Sequence, residues 1–255
     1  MSWLNTLKNK GLLVFAIILG LAATCAFASA EEFSDEFAGI SGTVLNKYLA
    51  ATQSQPVVKA PMEVEIDASV PSLNQHGKLK ALRKISDVGK ITYRVLVFQG
   101  DNTIKSQVIG RYLQAEQQGQ DDQSLQVSPA NYRFKFKGKK LDDAGNERYV
   151  FQLAPLKKRI GLFKGELWLD AHTYLPVVEK GRLVKNPSVF FRKVDFERDF
   201  ALRNGSAVPA HLSSTINTRL VGKVNLTVNY SEVASNLAAE DDLADSTLQY
   251  TPNDL

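Results

Sequence analysis

From Glu63 to Tyr230 the chain repeats one pattern, apolar and polar residues alternating in short segments, and that pattern limits the folds open to it. A period of two sends successive side chains to opposite faces of a strand. Val64, Ile66, Ala68 and Val70 share one parity, with Glu63, Glu65 and Asp67 on the other. Tyr132, Phe134 and Phe136 alternate with Arg133, Lys135 and Lys137. Phe163, Gly165, Leu167 and Leu169 alternate with Lys164, Glu166, Trp168 and Asp170. The same reading gives strands over Gly77–Ile85, Lys90–Phe98, Tyr149–Leu153 and Val177–Val184. It continues through Phe190, Val194, Phe196, Phe200 and Leu202, then Val208 to Leu220, and ends with Val224 to Tyr230. Turn signals separate the segments: Asp142-Asp143-Ala144-Gly145-Asn146, Asp170 to Pro176, Asn204-Gly205 and Val221-Gly222-Lys223.

Two stretches break the period. Phe33, Phe37, Ile40, Val44, Leu45, Tyr48 and Leu49 step by threes and fours, which predicts a helix over Phe33–Leu49 with Ser34 as its cap. Ile104, Val108, Ile109, Tyr112 and Leu113 predict a second over Thr103–Gln118, with Asp101 or Asn102 as cap. Ala51 to Pro61 reads as a polar connection and Gln117 to Pro129 as a mobile loop.

About ten strands joined by short turns make an antiparallel meander with one apolar and one wet face. A sheet of that size twists and curls. Two short helices cannot cover all of its apolar face. The expected fold is therefore mainly β (α+β): an antiparallel open half-barrel, with the helices forming a lid over the apolar concave face and apolar space between them.

The chain ends carry different signals. Lys8 and Lys10 precede an apolar run from Leu12 to Phe27, and Ala28-Ser29-Ala30 supplies a small-x-small cleavage site. Residues 1–30 read as a cleavable signal peptide, 31–235 as a single domain and 236–255 as an acidic, flexible tail. Thr24 before Cys25, the only cysteine, disfavours lipid anchoring there, so a chain processed at Ala30 has no thiol chemistry. Removing the leader's two lysines lowers the formal charge from +4 to +2, too even for a nucleic-acid binder.

The run LFKGELWLDAHTYLPVVEKGRLVKNPSVFFRKVDFERDF resembles LolA/LolB-like and RseB-like periplasmic proteins. In those, a strand ending in Trp-x-Asp leads through a short turn to Leu-Pro and the next strand, here Trp168, Asp170, Leu175 and Pro176. The residue before the leucine, often Gly in relatives, is Tyr174 here. The resemblance covers about Tyr132 to Val233. It implies an open β-barrel with a helical lid, holding acyl chains of lipoproteins or another lipid.

The residues add no catalytic constellation to that picture. His76, His172 and His211 are far apart and lack companion ligands at metal spacing. Asp170 beside His172 reads as a turn residue capping backbone N–H groups. The expectation is a periplasmic carrier or chaperone with no enzyme activity, no cofactor and no nucleic-acid partner. Its ligand-binding wall would be Phe134, Phe136, Phe151, Leu153, Leu167, Leu169, Val194 and Phe196. The alternative is an RseB-like module that senses envelope stress or binds a membrane protein's periplasmic domain, using Lys157, Lys158, Arg159 and Trp168 as contacts. The basic stretches also fit the simpler reading of a solvated strand face.

Overall fold

The computed structural model describes residues 39–56, 58, 60–86, 89–119 and 123–233. The expected signal peptide, Cys25, the Ser34 cap and the acidic tail lie outside them. The chain divides into two compact units, 1–47 and 48–255. In the first, the described stretch 39–47 is helical and belongs to helix α1, residues 39–54.

The second unit is one ten-stranded antiparallel sheet. Its strands are β1 Met62–Val70, β2 Gln75–Ile85, β3 Ile91–Gly100, β4 Tyr132–Leu141 and β5 Glu147–Pro155, then β6 Phe163–Asp170, β7 Pro176–Leu183, β8 Phe191–Arg203, β9 Ser206–Thr218 and β10 Lys223–Glu232. Their order in space is β3-β2-β1-β10-β9-β8-β7-β6-β5-β4. Each strand pairs with its sequence neighbour except β3 and β4, which form the two free edges. β1 and β10 pair in the middle instead. The sheet is thus the expected open, unclosed one. The edge strand β4 carries Arg133, Lys135, Lys137, Lys139 and Lys140 as exposed side chains, a charge pattern that discourages edge-to-edge pairing.

Between the edges lies helix α2, continuous through Asn102–Ile104, a π-helical turn Lys105–Gly110 and Arg111–Gly119. Ile104, Ile109 and Leu113 are buried in one cluster with Val64, Ile66, Leu79, Leu226 and Val228. α2 therefore covers the apolar face at the β3-β2-β1-β10 end. Gly77 makes the close approach feasible: a Cβ there would stand 2.9 Å from Ile104 Cγ2.

Several sequence expectations need correction. α1 runs past Leu49 to residue 54, where Gln55-Pro56 ends it, so the connection to the sheet is shorter than Ala51–Pro61. Asp101 stands at the N-cap of α2 but does not cap it. Its carboxylate accepts the His76 N–H at 2.9 Å instead. The stretch read as a mobile loop is helical to Gly119, and its described remainder is tied down. Asn131 Nδ2 donates to the carbonyls of Gln123 and Gln126, and the Val127 carbonyl accepts from the Tyr48 hydroxyl at 2.8 Å. Phe190 and Leu220, assigned to apolar strand faces, lie in turns and are 55% and 77% exposed. Alternation carries no information about where a strand stops.

Candidate functional site

Strand registers place all eight residues of the expected binding wall on one face of the sheet, two each on β4, β5, β6 and β8. Phe134 pairs with Leu153, and Phe136 with Phe151. Phe151 pairs with Leu167, and Tyr149 with Leu169. On β8, Val194 and Phe196 share the parity that continues this face. Aromatic rings join across it: Phe151 meets Phe134 edge-on at 5.8 Å and Phe136 at 5.2 Å, and Phe163 meets Phe196 edge-on at 5.0 Å. Tyr48, in the last turns of α1, reaches Phe134 at 6.3 Å. Phe136, Phe151, Leu153, Leu167, Leu169 and Val194 are buried, while Phe134 and Phe196 are half-buried. Most of this wall occupies the half of the sheet opposite the α2 cluster, and Phe196, at its border, also packs against that cluster.

A row of partners crosses the whole sheet. It reads Phe136, Phe151, Leu167, then Glu179 and Arg198, then Leu212, Val228, Ile66, Leu79 and Phe98. Two charged residues thus stand at the centre of an otherwise apolar row. Arg198 Nη1 donates to Glu179 Oε2 at 3.2 Å. Burial pushes the Glu179 carboxyl up, and the Arg198 charge only partly opposes it. Parity along Val194, Phe196 and Arg198, and along Val177 and Glu179, puts each charge on the apolar face, and the strand register brings the two together. Beside the row, Gly165 and Gly181 face each other. A Cβ on Gly165 would lie 1.9 Å from the Lys180 carbonyl oxygen, so the two strands approach more closely than side chains permit.

A second polar group fastens α2. Glu116 accepts from Arg83 Nε at 2.9 Å, from the Tyr93 hydroxyl at 2.5 Å and from the Tyr230 hydroxyl at 3.3 Å. The hydroxyls of Tyr112 and Tyr230 lie 2.7 Å apart. Burial and the neighbouring Glu116 charge hold Tyr93 far above the ordinary phenol range. One carboxylate on the helix therefore ties it to β2, β3 and β10.

The turn that carried the resemblance is structural. Asp170 Oδ1 accepts the N–H groups of His172 and Thr173 and the Thr173 hydroxyl. Arg148 reaches its other oxygen. Tyr174 takes a left-handed backbone, φ +61°, which explains why glycine suits that position, and its ring stacks on Tyr149 at 5.7 Å. Trp168 stands in register between Val150 and Val178. Its indole N–H donates to Glu166, and Lys180 and Lys140 lie over its ring at 4.7 and 5.5 Å. A cleft of about 270 Å³ opens beside it, lined by Asp142, Arg148, Val178 and Phe200. Lys157, Lys158 and Arg159 are exposed in the β5–β6 turn, away from Trp168 on the strand. A larger cleft of about 410 Å³ lies at the other end of the strand order, lined by Asp67, His76, Lys78, Gln99 and Thr227. Neither cleft includes a residue of the apolar wall.

The chain is similar in fold to DUF1329, LolA-superfamily and MucB structures. A DUF1329 family protein from Desulfovibrio piger is 11% identical, over 75% of this chain and 91% of that one, with a TM-score of 0.42. A LolA superfamily protein from Nitrosomonas europaea is 13% identical, over 75% and 91%, with a TM-score of 0.35. MucB is 14% identical, over 81% and 97%, with a TM-score of 0.27. No family model matches the chain, and no curated protein matches it. Among the described residues no helix is long and apolar enough to cross a membrane, and no group of three or more His, Cys, Asp or Glu is placed to hold a metal ion.

Proposed function

We propose that this protein is a periplasmic carrier that holds acyl chains of a lipid or lipoprotein against the β4–β8 half of its inner face, and that it is not an enzyme. One observation carries the reading: the inner face of β4, β5, β6 and β8 is apolar, interrupted only by the Glu179–Arg198 pair, and α2 packs mainly on the other half of the sheet. Each methylene buried against such a wall contributes about 0.8 kcal/mol. Ten methylenes would supply about 8 kcal/mol before the cost of ordering the chain. Most wall residues are buried in this structure, so an acyl chain gains access by displacing what covers them.

A fluorescent acyl probe tests this. Its emission should rise on mixing with the protein and be competed away by long-chain fatty acid or lipopeptide. Phe134→Ser, at a half-buried wall position, should weaken probe binding about tenfold, the effect of losing one large apolar contact. Unchanged binding in that variant, or no binding to the parent protein, contradicts the proposal.

A further inference from the structure

Most of the large hydrophobic side chains exposed among the described residues gather at one end of the sheet. Leu73, Leu156, Ile160, Val189, Phe190 and Leu220 all lie in turns, 45–80% exposed. Those turns are 71–74, 156–162, 184–190 and 219–222, and strand registers put all four at the same end. Ser69, near the end of β1, pairs with Asn225, near the start of β10. Phe191 pairs with Thr218, and Phe163 with Leu183. Neighbouring turns are also hydrogen-bonded to one another. Ser72 Oγ donates to the Val221 carbonyl, Arg219 donates to the carbonyls of Val189 and Phe190, and Val184 N donates to the Leu162 carbonyl. With strands about 4.8 Å apart, tips at every second strand pair form one rim about 30 Å long.

The charge in these four turns has a single sign, and one carboxylate, Asp101 after β3, stands beside them at the same end of the sheet, held by the His76 N–H. The four turns contain Lys157, Lys158, Arg159, Lys185 and Arg219 and no Asp or Glu. At the opposite end, the β4–β5 turn carries Asp142 and Asp143. Apolar tips standing along an edge, rather than gathered in a groove, suit a soft planar surface more than a folded partner. We propose that this rim docks the protein on an anionic phospholipid membrane. The apolar tips enter the boundary between head groups and acyl chains, and the five cations lie against phosphates.

The inference goes beyond acyl carriage and does not depend on it. The test uses the exported chain, its start confirmed by mass spectrometry, sedimented with vesicles. Phosphatidylglycerol-containing vesicles should carry the protein down at low salt, and pure phosphatidylcholine vesicles should not. The exposed double variant Phe190→Ser/Leu220→Ser should lose at least about tenfold in partitioning. Lys157→Glu/Lys158→Glu should lose a similar amount, while Leu141→Ser, at the other end, should change nothing. Phe190→Trp should show blue-shifted emission with the anionic vesicles. Equal binding to both vesicle types, rim variants that bind like the parent, or unshifted emission from the Phe190→Trp variant each overturns the proposal. So does binding to a soluble acidic protein with none to vesicles. Rim variants that still take up the acyl probe from solution separate a failure here from a failure of the carrier reading.

Discussion

Glu116→Ala should be among the most damaging single changes to the sheet–helix contact. Glu116 and Arg83 have side chains 17% and 9% exposed, so their ion pair is largely withdrawn from water. Removing one partner of a buried pair costs about 3–5 kcal/mol, because the other charge stays behind unpaired. The Tyr93 hydroxyl would also lose the carboxylate to which it donates at 2.5 Å. Partial exposure of Glu116 lets water compensate in part, so we expect about 3 kcal/mol. Glu116→Gln keeps a carbonyl acceptor at the same place and should cost about 1–2 kcal/mol. Urea unfolding followed by circular dichroism measures both, and hydrogen exchange should show faster opening in Arg111–Gly119 of the Ala variant. If Ala and Gln cost the same, or Ala costs less than about 1 kcal/mol, the pinning of α2 by this carboxylate is refuted.

Three further outcomes follow from the turn and the strands. At Tyr174, φ +61° penalises any residue with a Cβ, so Tyr174→Gly should be more stable than Tyr174→Ala by about 1 kcal/mol, read from unfolding midpoints. For Asp170, burial raises the carboxyl, but hydrogen bonds from Thr173 and His172 and the Arg148 charge lower it further, leaving it below its ordinary range. A depressed folded-state value contributes stability above the unfolded pKa of about 3.9 and loses it as pH falls through the folded value. Asp170→Asn should therefore be less stable than the parent at pH 7, with the gap closing as the pH is lowered below about 4; a gap independent of pH contradicts this. Gly181→Ala would put a Cβ 2.4 Å from the Lys164 carbonyl oxygen and should cost about 2–3 kcal/mol in thermal or urea unfolding.

Much of this fold was legible because antiparallel strands with one buried face write their period into the sequence. The ten strands, the Asp170 turn and the apolar wall from Phe134 to Phe196 all follow from parity and turn residues. Other features depend on pairing partners that lie far apart in the chain. Glu179 and Arg198 share the inner face across two strands, and neither residue alone announces the pair. In the sequence Glu116 is one polar residue near the end of a helical segment, and its partners Arg83, Tyr93 and Tyr230 come from three strands. Strand ends were the weakest point. Phe190 and Leu220 keep the strand's apolar character but belong to turns, and only the registers put them on a shared rim.

The central claim, that the β4–β8 half of the inner face holds acyl chains, is tested most directly by native mass spectrometry of the purified protein, paired with solvent extraction and lipid analysis. The account predicts a population carrying an adduct of acyl-lipid mass that extraction removes, and that Phe134→Ser reduces. Protein that emerges only at its bare polypeptide mass, and takes up no lipid when incubated with it, would contradict the account.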